Sequence, residues 1–350
     1  MVSMLFCQFA KSQSVRDISN GLRSATGNLN HLGVGKAPSK SSISYQNKNR
    51  NWELFRSYYY HLLSSLGQQA RFKQVKFKIK SKIFLLDSTT ISLCLSLFDW
   101  AKYKTAKGAV KMHTLLDFDG NLPAYVNVTD GKTADNKGAY DVPLLKGSVI
   151  VADRFYNDCS LWNIWDSKGV YFVIRHKENI KYITLKENEL PDNRHQHILK
   201  DEIIELKNNS SKEKYPKKLR RVALWDEINS QTIEIITNQM TWTANTIGEL
   251  YRSRWQVEIF FREIKQLLHI KSFIGTSENA VMIQIWTALI TILILKALKA
   301  MAKFNWHLSN LVAFIRLNLF VKIDLQLWLD KPFEEMDTSK TEKYLQGVLF

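Results

Sequence analysis

Three carboxylates stand where a carboxylate is costly. Asp87 follows the apolar run Ile83-Phe84-Leu85-Leu86 in "KIFLLDSTTISL", and Asp153 ends the run Val149-Ile150-Val151-Ala152 in "GSVIVADRFY". An unpaired carboxylate in such surroundings is disfavoured by roughly several kcal/mol, so a metal ion or a basic side chain is expected beside each. Glu258, far along the chain in "LYRSRWQVEIFFREIKQLLHIKSF", is the third. Two strands of a mixed sheet followed by a helix can bring all three to the carboxyl ends of the strands. Such a cluster suits phosphodiester chemistry. Two Mg²⁺ ions roughly 3.5–4 Å apart can activate an attacking oxygen and stabilise a leaving one, with hard carboxylate and phosphate oxygens as ligands.

The stretch around Glu258 reads as a helix with two faces. At about 100° per residue, Tyr251, Arg254, Glu258 and Lys265 fall within about 60° of one another, with Arg262 and His269 flanking the stripe. Leu250, Val257, Phe260, Ile264, Leu267 and Leu268 form a separate, core-facing side, and Glu263 points well away from the basic stripe. An ordinary amphipathic helix with ion pairs on its wet side would look the same. The alternative is that Arg254 and Lys265 hold DNA phosphates beside metal-bound carboxylates.

Other acids read as structural. Asp117 and Asp119 sit in a hairpin turn, Asp130, Asp135 and Asp141 in a polar connection, and Asp99 in a loop. His113 reads as a core histidine on a strand. No Gly-rich phosphate loop, Cys/His metal spacing or nucleophile elbow is present in the sequence.

The elements that must position these residues can be read from periodicity. Residues 1–78 read as helices and polar loops: "SVRDISNGLRSA" is a helix, "GNLNHLGVGKAPSKS" a loop, and "SKSSISYQNKNRNWELFRSYYYHLLSSL" a helix with a serine N-cap. This arrangement suits a DNA-reading unit. From residue 79 to 178 strands carry Asp87 and Asp153, with a hairpin at "DFDGN" and the helix "NDCSLWNIWDSKG" closed by glycine. Residues 179–243 hold strand-like segments between polar turns, 244–305 hold the Glu258 helix and the apolar run "AVMIQIWTALITILIL", and 306–350 form a helical tail. The apolar run is short of the roughly 20 residues a membrane span needs and reads as a buried helix.

The formal net charge of +16 points to a polyanionic partner, and the apolar fraction of 45% supports a real core. Three scattered cysteines, Cys7, Cys94 and Cys159, fit a reducing cytoplasm and no disulfide scaffold.

The helix spacing Tyr251, Arg254, Glu258, Lys265, taken with "LLDSTTI" and "VADRFY", resembles the Tyr-Arg-Glu-Lys signature and the two aspartate regions of the bacterial insertion-sequence transposases grouped as insertion sequence 4. The resemblance covers roughly residues 1 to 320. It implies an α/β fold with a ribonuclease H-like catalytic core on a mixed sheet, a helical N-terminal region, and a strand-rich insertion before the helix of the catalytic glutamate. Asp87, Asp153 and Glu258 would form the catalytic triad and hold two Mg²⁺ or Mn²⁺ ions. Tyr251, Arg254 and Lys265 would contact DNA. The implied activity is cut-and-paste movement of double-stranded DNA: hydrolysis at terminal inverted repeats, then attack of the freed 3′-hydroxyl on target DNA, by a homodimer on the DNA ends and without any membrane. Relatives usually carry more chain before the opening "MVSMLFCQF", and some carry a tryptophan on the strand before the signature helix, where this chain has "TIEIITN". The rival readings are a catalytically silent DNA-binding descendant of a transposase, and a nuclease that cuts without joining.

Overall fold

The computed structural model describes residues 1–25, 29–67, 79, 81–93, 98, 100, 102–104, 107–190, 197–267, 273–321 and 323–334. Asp99, Cys94, Leu268 and His269 lie outside them. The chain divides into two compact units. One comprises residues 1–73, 96–100 and 262–350; the other comprises residues 74–95 and 101–261.

The first unit is helical. Its helices are α1 (Val2–Ala10), α2 (Val15–Ser24), α3 (Lys40–Asn49), α4 (Glu53–Gly67), α10 (Glu278–Met301), α11 (Leu308–Leu317) and α12 (Leu325–Asp330). Ser14 and Ser39 cap α2 and α3 by accepting from backbone N–H groups of the first turn. The sequence reading ran α3 and α4 together. They are separate because Asn279 of α10 donates to the carbonyls of Asn47 and Arg50 and accepts from the Trp52 N–H. A side chain distant in sequence thus satisfies the groups that a continuous helix would have paired internally. Helix α10 is long and apolar enough to cross a membrane, but 83% of its apolar window is buried inside the protein, against α1, α3, α4, α11 and α12. Trp286 at its middle packs against Trp52, Tyr59 and Tyr60.

The second unit is built on a mixed sheet of ten strands. They are β1 (Ile83–Leu93), β2 (Lys102–Lys104), β3 (Lys107–Asp117), β4 (Leu122–Asp130), β5 (Val149–Ala152), β6 (Tyr171–Arg175), β7 (Tyr182–Glu187), β8 (Ile198–Leu206), β9 (Leu219–Asp226) and β10 (Gln231–Thr237). Their order is β2-β3-β1-β5-β6-β10-β9-β8-β7, with β4 paired to β3. The β1–β5 and β5–β6 pairs are parallel, and the others are antiparallel. The β5 run Val149–Ala152 is buried throughout, as a parallel strand covered on both faces should be. Helix α6 (Cys159–Ser167) presses Trp162 and Trp165 onto Phe172 of β6, with Tyr215 closing the cluster. Gly169 takes the left-handed conformation (φ 70°) that ends this helix and lets the chain turn into β6. The strands of residues 179–243 form no separate sheet: β10 pairs with β6, so the sheet continues from the aspartate strands through β7 without a break.

Between β4 and β5 lies the short α5 (Asp135–Gly138), and β10 leads into α8 (Ala244–Ser253) and α9 (Trp255–Leu267). The division between units falls within α9, at Phe261–Arg262.

Candidate active site

Register brings the two aspartates together. Strands β1 and β5 pair in parallel from Ile83 with Val149 to Leu86 with Ala152. One residue further, Asp87 and Asp153 leave the same end of neighbouring strands side by side, at the carboxyl edge of a parallel pair. Asp87 remains in β1 and pairs across to Thr114 of β3, while Asp153 begins a turn of 3₁₀ helix and accepts from the Phe155 N–H at 2.8 Å. Burial pushes the Asp87 carboxyl up to about 7, and the charge of Asp153 adds to the effect. Burial raises Asp153 as well.

Glu258 comes from α9, and Arg254 ties it to Asp87. The Arg254 guanidinium donates to Glu258 Oε1 at 2.6 Å and lies 3.5 Å from Asp87 Oδ2. Burial works against the charge of Arg254, but Tyr251, Glu258 and Asp87 outweigh it and hold the guanidinium more firmly protonated than usual. Among the described residues, Asp153 has no cation within ion-pair distance, so the carboxylates outnumber their partners.

The helix that carries this arrangement is not the single rod expected from periodicity. It is interrupted at Arg254, where α8 ends and α9 begins, and the Arg254 and Val257 N–H groups reach back three residues to Tyr251 and Arg254. This tighter turn shifts the wheel. Tyr251 is buried, not on a wet stripe, and burial raises its phenol. Its ring faces the Arg254 guanidinium at 5.9 Å. Leu250, Val257, Phe260 and Ile264 are buried, as the apolar side required. Arg262 is exposed and Lys265 is half-buried, both in the stretch of α9 that belongs to the first unit. Glu263 is not a free wet acid. It faces Lys296, 3.8 Å away, and one of its oxygens is buried.

Further polar groups lie close to the aspartates. Asp135 accepts from Ser88 Oγ at 2.5 Å and pairs with Lys111 at 3.0 Å, so it is tied to the residue next to Asp87. The sequence places Asp135 only in a polar connection, because nothing local signals a partner on β3. His113 is buried, and burial lowers it to about 4, so it is neutral. Gly138 packs against its ring so closely that a Cβ would lie 2.4 Å from Nδ1. Asp158, by contrast, caps α6 and accepts from Asn136 and Tyr140.

A hollow of about 540 Å³ opens beside Arg254. Tyr251, Arg252, Trp255, Arg175 and Trp225 contribute to its lining. Trp225 is on β9, and Trp255 is 55% exposed although it follows Arg254 directly. Sequence reasoning passed over Trp255. An aromatic residue adjoining the signature arginine, off the apolar face, was the available signal.

The donor set fits a divalent cation. Asp87, Asp153 and Glu258 offer hard oxygens in negative excess. The Tyr156 hydroxyl, buried and without a hydrogen-bond partner among the described residues, lies in the field of Asp87, Asp135 and Asp153. Among the described residues no three metal-ligating side chains are gathered closely enough to hold an ion as they stand. Arg254 lies between Asp87 and Glu258.

Comparison with known proteins gives the class: enzymes that act on the phosphodiesters of DNA. Residues 78–294 match the family described as transposase DDE domain, and residues 1–35 match a domain of unknown function (DUF4372). The first match covers more than half of the chain, which therefore belongs to the DDE transposase family and is an enzyme of DNA transposition. The chain is 27% identical over 277 residues to a protein of Geobacillus stearothermophilus named as a probable transposase for insertion sequence element IS5377, covering 79% of this chain and 72% of the relative. It is 27% identical over 255 residues to the transposase-named y4zB of Sinorhizobium fredii, covering 72% and 71%. It is 24% identical over 298 residues to a Synechocystis protein named for insertion sequence element IS4SA, covering 84% and 82%. Transposases act on DNA, and those of the DDE type work with divalent metal ions.

Proposed function

We propose that the chain is a cut-and-paste transposase whose catalytic triad is Asp87, Asp153 and Glu258, set on a ribonuclease H-like core. The observation that carries this reading is the excess of carboxylates where β1 and β5 end together, with a single guanidinium reaching two of them. Asp87, Asp153 and Glu258 would hold two Mg²⁺ or Mn²⁺ ions, which when bound supply Lewis-acid stabilisation of the attacking and leaving oxygens.

The chain's own residues do the rest. Asp87 and Asp153 keep their oxygens at fixed positions because their backbone is fixed by the sheet and by the Phe155 N–H. Arg254, whose fork matches a phosphate as well as a carboxylate, orients the DNA backbone, with Tyr251 packed against it. The resemblance gives Lys265 the same phosphate-holding role. In the first step water attacks phosphorus and displaces the 3′-oxygen of the element's end. In the second that 3′-hydroxyl attacks a target phosphodiester and displaces the target's own 3′-oxygen, so one phosphodiester breaks as another forms.

The partners in this reading are terminal inverted repeats and target DNA, with a homodimer assembled on the two ends. Helices of residues 1–78 would read the ends. Exposed Lys40, Tyr45, Lys48 and Asn49 on α3, which carries no acid, support that role. Residues 79–178 and 244–305 would form the two parts of the core, 179–243 the insertion and 306–350 a helical tail. The nucleoid would be its working place.

The test is a joining assay. Pre-cleaved element ends bearing a free 3′-hydroxyl should insert into a supercoiled target with Mg²⁺ and not with chelator. An enzyme that cleaves ends yet never joins them is a nuclease, and that outcome rejects the proposal.

A further inference from the structure

Arg254 reaches both Asp87 and Glu258. Its guanidinium donates to Glu258 at 2.6 Å and approaches Asp87 Oδ2 at 3.5 Å, and among the described residues neither acid pairs with another cation. The site therefore already contains a positive charge, lying between oxygens that a divalent ion would need. The same guanidinium also borders the open hollow lined by Arg175, Arg252 and Trp255. It is thus within reach of a ligand entering from that side while it holds the carboxylates on the other. A planar fork of donors binds a phosphodiester as readily as a carboxylate, but it cannot do both with the same N–H groups.

We infer that Arg254 is a resident counter-ion that couples cation binding to phosphate binding: without DNA it competes with the divalent ion for Asp87 and Glu258, and a DNA phosphate draws it off and frees them. The inference rests on the reading of Asp87, Asp153 and Glu258 as ion ligands. Its consequence is thermodynamic. Whatever phosphate adds to metal affinity, metal must add to phosphate affinity by the same factor. The internal ion pair keeps the site in one piece, and an ion alone is admitted weakly. Cleavage chemistry is thereby confined to sites where a phosphate backbone is already seated.

The experiment measures Mn²⁺ binding to the DNA-free full-length chain by the loss of the free-ion electron spin resonance signal. No turnover is involved. Arg254→Gln should bind Mn²⁺ at least about fivefold more tightly than the parent chain, at the low end of ordinary coupling between sites. Loss of a positive charge anywhere nearby would also favour a cation, so Arg154→Gln is the control. Arg154 also acts on Asp153, but it is exposed and bridges no acids, so its removal should change Mn²⁺ affinity by less than about twofold. Arg254→Lys keeps the charge and loses the fork, and should tighten Mn²⁺ binding in the same direction. It also serves if Arg254→Gln fails to fold by thermal melting. Asp153→Asn tests the underlying reading separately. If it leaves Mn²⁺ binding unchanged, the carboxylates are not the ion site. If it abolishes binding while folded Arg254 variants bind no more tightly than Arg154→Gln, the site stands and the role of Arg254 as counter-ion is wrong.

Discussion

Two acidic regions share one sheet, and they differ in how their charge is matched. On β8, β9 and β10, the buried acids Asp201 and Glu202 each pair with an arginine, and the second arginine also serves the partly exposed Glu234. Arg220 grips Asp201 with two bonds, at 2.8 and 2.6 Å, and uses its remaining nitrogen on the Met240 and Trp242 carbonyls. Arg221 is clamped between Glu202 and Glu234, lies over the Tyr182 ring, and shares Glu234 with His176. At the ends of β1 and β5 the count is uneven: among the described residues Asp87 and Glu258 share Arg254, and Asp153 has no ion-pair partner. Acids paired in this way hold strands in register. Acids short of partners would, on the proposed reading, hold an ion. The difference separates structure from function more sharply than burial does, since both regions are shielded.

The largest effect that distinguishes them is on chemistry. Asp153→Asn should reduce cleavage of a labelled element end by at least about a thousandfold, the scale of several kcal/mol of transition-state stabilisation. Asp158→Asn, five residues on, keeps a cap acceptor for α6 and should cut within a few-fold of normal. Equal losses in two folded variants would dissolve the distinction.

Next comes stability. Arg220→Leu strands a buried carboxylate and should cost about 3–5 kcal/mol by urea denaturation, whereas Arg220→Leu with Asp201→Leu together should recover most of that loss. If the single and double variants were equally unstable, the pair would not be acting as a unit.

The aspartate edge should respond in the opposite direction. The folded chain holds the Asp87 proton up to about pH 7, while an unfolded chain releases it near the ordinary value of 3.8. Folded protein therefore binds more protons within that window. Without metal, the contribution of this group to stability is present at low pH, falls as pH rises from about 4 to 7, and is flat above. In chelator, Asp87→Asn should stabilise the fold above pH 7, on the order of 1–3 kcal/mol, and much less near pH 4. Thermal melts across that range check the sign. A destabilised variant at high pH would mean that the acid is already well matched.

The smallest effect belongs to a pair that is close but wet. Lys212 and Glu205 are in contact beside the buried network, with Lys212 40% exposed. Lys212→Ala should change stability by less than about 1 kcal/mol. A loss comparable to that of Arg220→Leu would show that contact, not burial, sets the scale.

Much of this was legible in the sequence. Asp87 and Asp153 stand out because each closes an apolar run that a buried strand explains, and the transposase class was legible through the resemblance of those runs and of the spacing around Glu258 to a family signature. What was not legible depends on partners distant in the chain. The break between α3 and α4 is set by Asn279, and the pairing of β10 with β6 by sheet register. Asp135 gains its importance from Lys111 and Ser88 on other strands. The interruption at Arg254 has no glycine or proline to announce it, and it moves Tyr251 from the expected wet stripe into the interior. Glu263, expected only to point away from the basic stripe, meets Lys296 of α10, and burial lowers that lysine to about 8.

The most direct measurement of the central claim is cleavage by Glu258→Gln, read beside gel-shift binding on the same labelled duplex carrying the element's end. The substitution is nearly isosteric and removes one charge from the acidic site. If the unmatched carboxylates exist to hold a divalent ion, cleavage in Mg²⁺ or Mn²⁺ falls by orders of magnitude while DNA binding is kept or strengthened. If Glu258→Gln cuts at the parent rate, Glu258 is only the partner of Arg254 on a helix face, and the account of this site is wrong.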